Sequence, residues 1–217
     1  MGKIIWIGNF NITKDGKMCR ELVTNMRKKD KEIKDMSARA KEVLEYFQID
    51  ESSSAVPIVE ILNKMGFKIY QSNLEPDGLS AYIAVDPKFE DVFESNKITC
   101  VHDKDNIGHK RFALAHELAH YLFDFNEDEN LYYYDTYFSN DGKEKEQKFE
   151  EERASKFAAN LLMPEDAFRQ KFKEYQQLQS KADIVSALAR FFLVSATAVL
   201  RRFTELGIDG YDNDTER

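Results

Sequence analysis

Hydrophobic and polar positions along the chain switch period several times, and each switch marks an element. Ile4 to Phe10 reads as a short strand, T-K-D-G-K-M as a turn, and Cys19 to Lys34 as a charged helical stretch with few apolar anchors. From Ser37, the segment S-A-R-A-K-E-V-L-E-Y-F places Ala40, Val43, Leu44 and Phe47 on one helical stripe. Pro57 then opens a second helix, I-V-E-I-L-N-K-M, which Gly66 ends. F-K-I-Y-Q-S, S-A-Y-I-A-V-D and K-I-T-C-V-H-D follow as extended segments, punctuated by Glu75-Pro76-Asp77-Gly78 and Asp86-Pro87. Helices before and after a small antiparallel sheet predict an α+β fold.

The next segment departs from this plain alternation. In R-F-A-L-A-H-E-L-A-H-Y-L-F, Phe112, Ala115, His116, Ala119, His120 and Phe123 share one helical stripe, and Leu114, Leu118, Leu122 and Phe125 cover another. A helix apolar on nearly every side is a buried helix. Burying His116, Glu117 and His120 together is costly unless something satisfies them, and a divalent metal does so. Residues four apart on a helix hold their Cβ atoms about 5–6 Å apart, which lets two imidazoles converge on one ion. This is the H-E-x-x-H arrangement of zinc peptidases, with Glu117 placed to take a proton from a water.

A catalytic zinc needs a third protein ligand and an open fourth position. A metzincin extension requires Gly at 123 and His at 126, where this chain has Phe123 and Asn126, and no histidine follows His120. The third ligand is therefore expected to be a carboxylate on a later helix. In E-E-E-R-A-S-K-F-A-A-N-L-L-M-P, the buried stripe is Ala154, Phe157, Ala158, Leu161 and Leu162, and Pro164 stops the helix. Glu150 and Glu151 both flank that stripe, and periodicity does not choose between them. The alanines at 154 and 158 predict a close approach to the histidine helix.

H-K-R-F-A-L-A-H-E-L-A-H-Y-L-F followed by E-x-x-A-x-x-F-A-x-x-L-L-M-P resembles the ImmA/IrrE family of metallopeptidases, over roughly Ser37 to Ile208. The resemblance implies a zincin-like fold and a gluzincin-type site with one Zn2+, in which Glu151 joins His116 and His120 as ligand and Glu117 is the catalytic base. It implies an endopeptidase of the cytoplasm that inactivates a partner, a transcriptional repressor with a helix-turn-helix domain, encoded with mobile elements or stress circuits. Residues 1–36 then form an N-terminal extension, 37–170 the peptidase domain, 171–208 a C-terminal helical subdomain and 209–217 an acidic tail. His109, on the same helical face, is a candidate transition-state stabiliser, with Tyr132, Tyr133, Tyr134 and Tyr137 of the tyrosine-rich run as alternatives and Tyr134 the one put forward.

Charge and cysteine content refine the picture little. The net charge of −8 is accounted for by Asp124 to Glu152, where eleven acidic and three basic residues lie. That block predicts a solvated loop whose rim disfavours acidic ligands. Cys19 and Cys100 form no C-x-x-C pair, which fits ordinary thiols in a reducing compartment. No apolar run approaches 18 residues, and the N-terminus matches neither a secretory signal nor a myristoylation pattern. The C-terminal L-A-x-x-F-x-V-S-x-x-A-V-x-R-R-F resembles a helix-turn-helix, with Ser195 as N-cap. A DNA-binding reading, or a regulator that only sequesters its partner, is the alternative; it would present Thr197, Arg201 and Arg202 to a groove. The weak local basic excess favours a packed subdomain that docks the protein partner.

Overall fold

The computed structural model describes residues 5–6, 22–26, 36–74, 79–125, 131–136 and 145–211. Among the described residues five strands form one sheet: β1 (Ile5–Trp6), β2 (Lys68–Ser72), β3 (Leu79–Val85), β4 (Lys97–His102) and β5 (Leu131–Thr136), in the order β1-β2-β4-β3-β5. Helices α1 (Met36–Tyr46) and α2 (Ile58–Lys64) precede β2, and a short α3 (Glu90–Phe93) separates β3 from β4. The long α4 (Ile107–Phe123) follows β4. After β5 come α5 (Lys145–Leu162), α6 (Glu165–Tyr175), α7 (Lys181–Phe192) and α8 (Ala196–Glu205). The α+β class expected from the sequence is what the structure shows. Among the described residues no single helix is long and apolar enough to cross a membrane.

The sheet is mixed, which corrects the expectation of an antiparallel one. β2 and β4 pair in parallel, from Lys68↔Ile98 to Ser72↔His102, while β3 is antiparallel to both β4 and β5. The cause is topological. β4 inserts between β2 and β3, and a strand antiparallel to β3 there must run with β2. Alternation in the sequence specifies which face a residue occupies, but not which strand lies beside it.

The acidic block is a second correction. It holds β5 and the first two turns of α5, where a solvated loop was expected. Its L-Y-Y-Y-D-T run has high strand propensity, and pairing with β3 satisfies its backbone. The turn at 75–78, Cys19, the acidic tail beyond 211 and most of the N-terminal extension lie outside the described residues; of the charged helical stretch, 22–26 is helical.

One face of the sheet packs on the helices. Ile69, Ala81, Ile83, Val85 and Val101 join α4, α5 and the C-terminal helices in one hydrophobic cluster. The opposite face carries a small cluster of Leu74, Leu79 and Cys100, with Tyr70 and Tyr82 against it. A register shift between Leu79 and Ala81 lets these two residues, both buried, serve different faces. Burial pushes the Cys100 thiol up to about 11, so it is a packed apolar group and a poor nucleophile.

Two buried arginines tie the C-terminal helix pair to this core. Arg111, on α4, donates from Nε to the Leu193 carbonyl at 3.1 Å and from Nη2 to the Val56 carbonyl at 2.6 Å. Arg202, on α8, donates to the Met163 carbonyl at 3.0 Å and to Asn160 Oδ1 at 2.9 Å. Helices α7 and α8 meet at 101° across Leu193–Ser195, and Ser195 caps α8 by accepting from the Ala198 amide. That is helix-turn-helix geometry, as expected. Its use on DNA is not supported by the placement of Arg202, which is 3% exposed and bonded inward. Close packing at the turn is strict: a Cβ on Gly108 would lie 2.7 Å from the Val194 carbonyl carbon and 2.8 Å from the Ser195 amide nitrogen.

Candidate metal centre

Helix α4 begins at Asn106, whose side chain accepts from the His109 amide at 3.0 Å. It then runs through the core, with every residue from Ala113 to Leu122 buried. Ala115 and Ala119 on α4, and Ala154 and Ala158 on α5, are all buried, and the two helices form the most extensive helix–helix contact among the described residues. Small side chains there allow the close approach that the sequence predicts.

The approach brings three ligand atoms together. His116 Nε2 lies 3.1 Å from His120 Nε2 and 3.2 Å from Glu151 Oε2, and Glu151 Oε1 lies 4.0 Å from His120 Nε2. All three residues offer atoms within 4.8 Å of one another, the arrangement of a group able to hold a metal ion. Of the two glutamates left open by periodicity, Glu151 is in the cluster. Ligands about 2.0–2.1 Å from a tetrahedral ion stand roughly 3.3–3.4 Å apart, within a few tenths of the shorter separations here. The donor set, two imidazole nitrogens and a carboxylate oxygen, suits a borderline cation such as zinc.

The far side of each imidazole is held as well. His120 Nδ1 is 2.8 Å from Asp124 Oδ2, and His116 Nδ1 is 3.3 Å from Ser155 Oγ. With Nδ1 engaged, both Nε2 atoms face the same point. Asp124 is itself ion-paired with Arg153, whose guanidinium sits 5.3 Å from the Phe123 ring centroid. Burial lowers the pKa of His120, partly offset by its bond to Asp124, which keeps the ring neutral and able to ligate. Sequence reasoning missed this support. Asp124 stood in the acidic block as one charge among many, although its position four residues after His120 was the available signal.

Glu117 is fully buried on α4 beside His116. His109 is in the first turn of α4 and lines a cleft with Ser155. Seven residues of helix, a rise of about 10 Å, separate it from His116, and it is not part of the cluster. Tyr134 lies on β5, paired in register with Tyr82 of β3, and is not part of the cluster.

Residues 63–204 match the family of the IrrE N-terminal-like domain, peptidase M78. The chain belongs to this family. Membership points to a metallopeptidase, and the His116, His120 and Glu151 cluster lies inside the matched region. Among solved structures, the M78 chain is similar to a Mycobacterium tuberculosis transcriptional regulator, with a TM-score of 0.52 at 17% identity. That likeness covers 89% of this chain and 54% of the other, so the chain spans about half the regulator's length. No curated protein matches it in sequence.

Proposed function

We propose that this M78 chain is a zinc-dependent endopeptidase that hydrolyses a peptide bond in a protein partner, a transcriptional repressor with a helix-turn-helix domain, in the cytoplasm. The observation that carries the reading is the convergence of His116, His120 and Glu151 beside a fully buried Glu117. Family membership supports the chemistry. The transcriptional regulator of similar fold supports a partner in gene control.

His116, His120 and Glu151 would hold the ion. A bound zinc supplies Lewis acidity, polarising a carbonyl and making water acidic near neutral pH. The protein's own residues then do the rest. Asp124 and Ser155 keep the two imidazoles oriented. Glu117 takes the proton of the attacking water and passes it to the leaving amine. Its burial excludes bulk water, which strengthens each electrostatic contact with the substrate. A sequestering regulator would have no need of such a base.

The test pairs metal analysis with cleavage. The purified protein is expected to carry about one zinc, lost in His116→Ala and in His120→Ala, and cleavage of the partner is expected to stop on chelation and resume with zinc. Zinc content unchanged in both variants would overturn the metal site. Cleavage unaffected by chelation would overturn the peptidase reading.

A further inference from the structure

A cleft of 330 Å³ opens between the first half of α4, the second half of α5, and α8. Its walls include Phe112, Ala159, Met163 and Ala198, with Ser155 and Arg201 also lining it. Phe112 stands one turn before His116 on α4, and Ser155 one turn after Glu151 on α5. The cleft therefore continues the groove between the two helices that carry the cluster, displaced from it by one helical turn, about 5.4 Å. Ser155 is the shared wall, since its Oγ is the atom 3.3 Å from His116 Nδ1.

We propose that this cleft is a specificity pocket for the protein segment whose peptide bond is presented at the cluster, and that it takes a large apolar side chain with an acidic neighbour. The identity of the segment rests on the peptidase reading above; the pocket itself does not. Three observations support the ligand chemistry. First, the walls are mainly apolar, and their depth comes from small residues, Ala159 and Ala198, where larger side chains would fill the space. Second, the volume is at the lower end of the roughly 300–1,000 Å³ of small-ligand sites, room for a side chain and its flanking backbone rather than a folded element.

Third, the charge lining the cleft is uneven. Glu205 is bonded to Arg202 at 3.0 Å, whereas the exposed Arg201 makes no ion pair or hydrogen bond among the described residues. A carboxylate next to the inserted side chain would meet that guanidinium. The walls are also pre-organised. Arg202 fastens α8 to the end of α5, while Arg111 and the tight fit at Gly108 fasten the α7–α8 turn to α4. Little ordering is then left for binding to drive.

The test uses the zinc-loaded full chain carrying Glu117→Gln, incubated with a proteome-derived peptide library, and retained peptides are sequenced by mass spectrometry. Enrichment is expected for peptides with Leu, Met or Phe beside Asp or Glu. Adding Ala198→Phe, which fills the pocket, is expected to lower that retention about tenfold or more, with zinc content unchanged. Thr197→Trp blocks the mouth from an exposed position and provides the same test without touching the core. Arg201→Glu is expected to abolish the acidic preference while keeping the apolar one. Retention of the same peptides by folded, zinc-loaded Ala198→Phe and Thr197→Trp would overturn the proposal, as would a parent protein that retains no such class. Restoring Glu117 separates the two readings. Peptides held but left uncut would refute the peptidase and leave the pocket standing, whereas cutting with an unaltered preference in Ala198→Phe would refute the pocket alone.

Discussion

Replacing Asp124 with Ala separates two jobs that one carboxylate performs. Its Oδ2 holds His120 Nδ1 at 2.8 Å, and the same side chain, 6% exposed, is ion-paired with Arg153, 8% exposed. Losing the histidine contact frees the ring to turn, and loss of such a partner typically weakens metal affinity about 10–100-fold, or about 1.4–2.7 kcal/mol. Losing the ion pair takes a carboxylate away from a buried guanidinium, which costs up to about 3–5 kcal/mol of stability. The two losses differ in what restores them. Arg153→Met removes the buried guanidinium itself, so the double variant Asp124→Ala/Arg153→Met is expected to regain part of the stability while its zinc affinity stays low. Urea unfolding of the zinc-free proteins measures the first quantity, and competition against a chromophoric chelator the second. Zinc affinity within about twofold of the parent in Asp124→Ala would refute the orienting role. Recovery of zinc affinity in the double variant would show that the weakening came from destabilisation instead.

Two further outcomes follow from the geometry. Glu151→Ala is expected to weaken zinc binding strongly, and Glu150→Ala to leave it near the parent value, because only Glu151 lies in the cluster; chelator competition decides, and the reverse order would remove Glu151 as ligand. Gly108→Ala places a Cβ within 2.8 Å of two backbone atoms of the α7–α8 turn, so a stability loss of about 1–3 kcal/mol is expected in urea unfolding. A neutral substitution there would show that the turn is not packed against α4 as described.

How far the site was legible in the sequence depends on the range of the interaction. His116, Glu117 and His120 were readable because helical spacing and apolar surroundings are local properties. That the cluster's third member is a carboxylate matches what the absence of later histidines led one to expect, but naming Glu151 over Glu150 needed the family motif. Periodicity failed there because both glutamates flank the apolar stripe, and the separation depends on how α5 rotates against α4. Strand identity was legible for β2, β3 and β4, where alternation is clean. The position of β4 between β2 and β3 was not, since pairing partners leave no mark on a single strand. β5 was masked by charge: the acidic residues around Leu131–Thr136 dominated the reading, although the tyrosine run itself is strand-forming. Arg202 was read as a groove-facing cation in the DNA-binding alternative, and nothing local announces that its guanidinium, or that of Arg111, is spent on distant carbonyls.

The central claim, that Glu117 is the base of a metal-assisted peptide hydrolysis, is tested most directly by Glu117→Gln. The substitution keeps size and hydrogen bonding, so the zinc content and the fold should be unchanged. The measurement is cleavage by the zinc-loaded protein of the partner captured from cells on the Glu117→Gln variant, followed by intact-mass spectrometry. The wild-type chain is expected to convert the captured partner into two fragments, and the variant to do so about 10²–10⁴-fold more slowly. Equal cleavage by both proteins, or a captured partner that the wild type releases intact, would contradict the account.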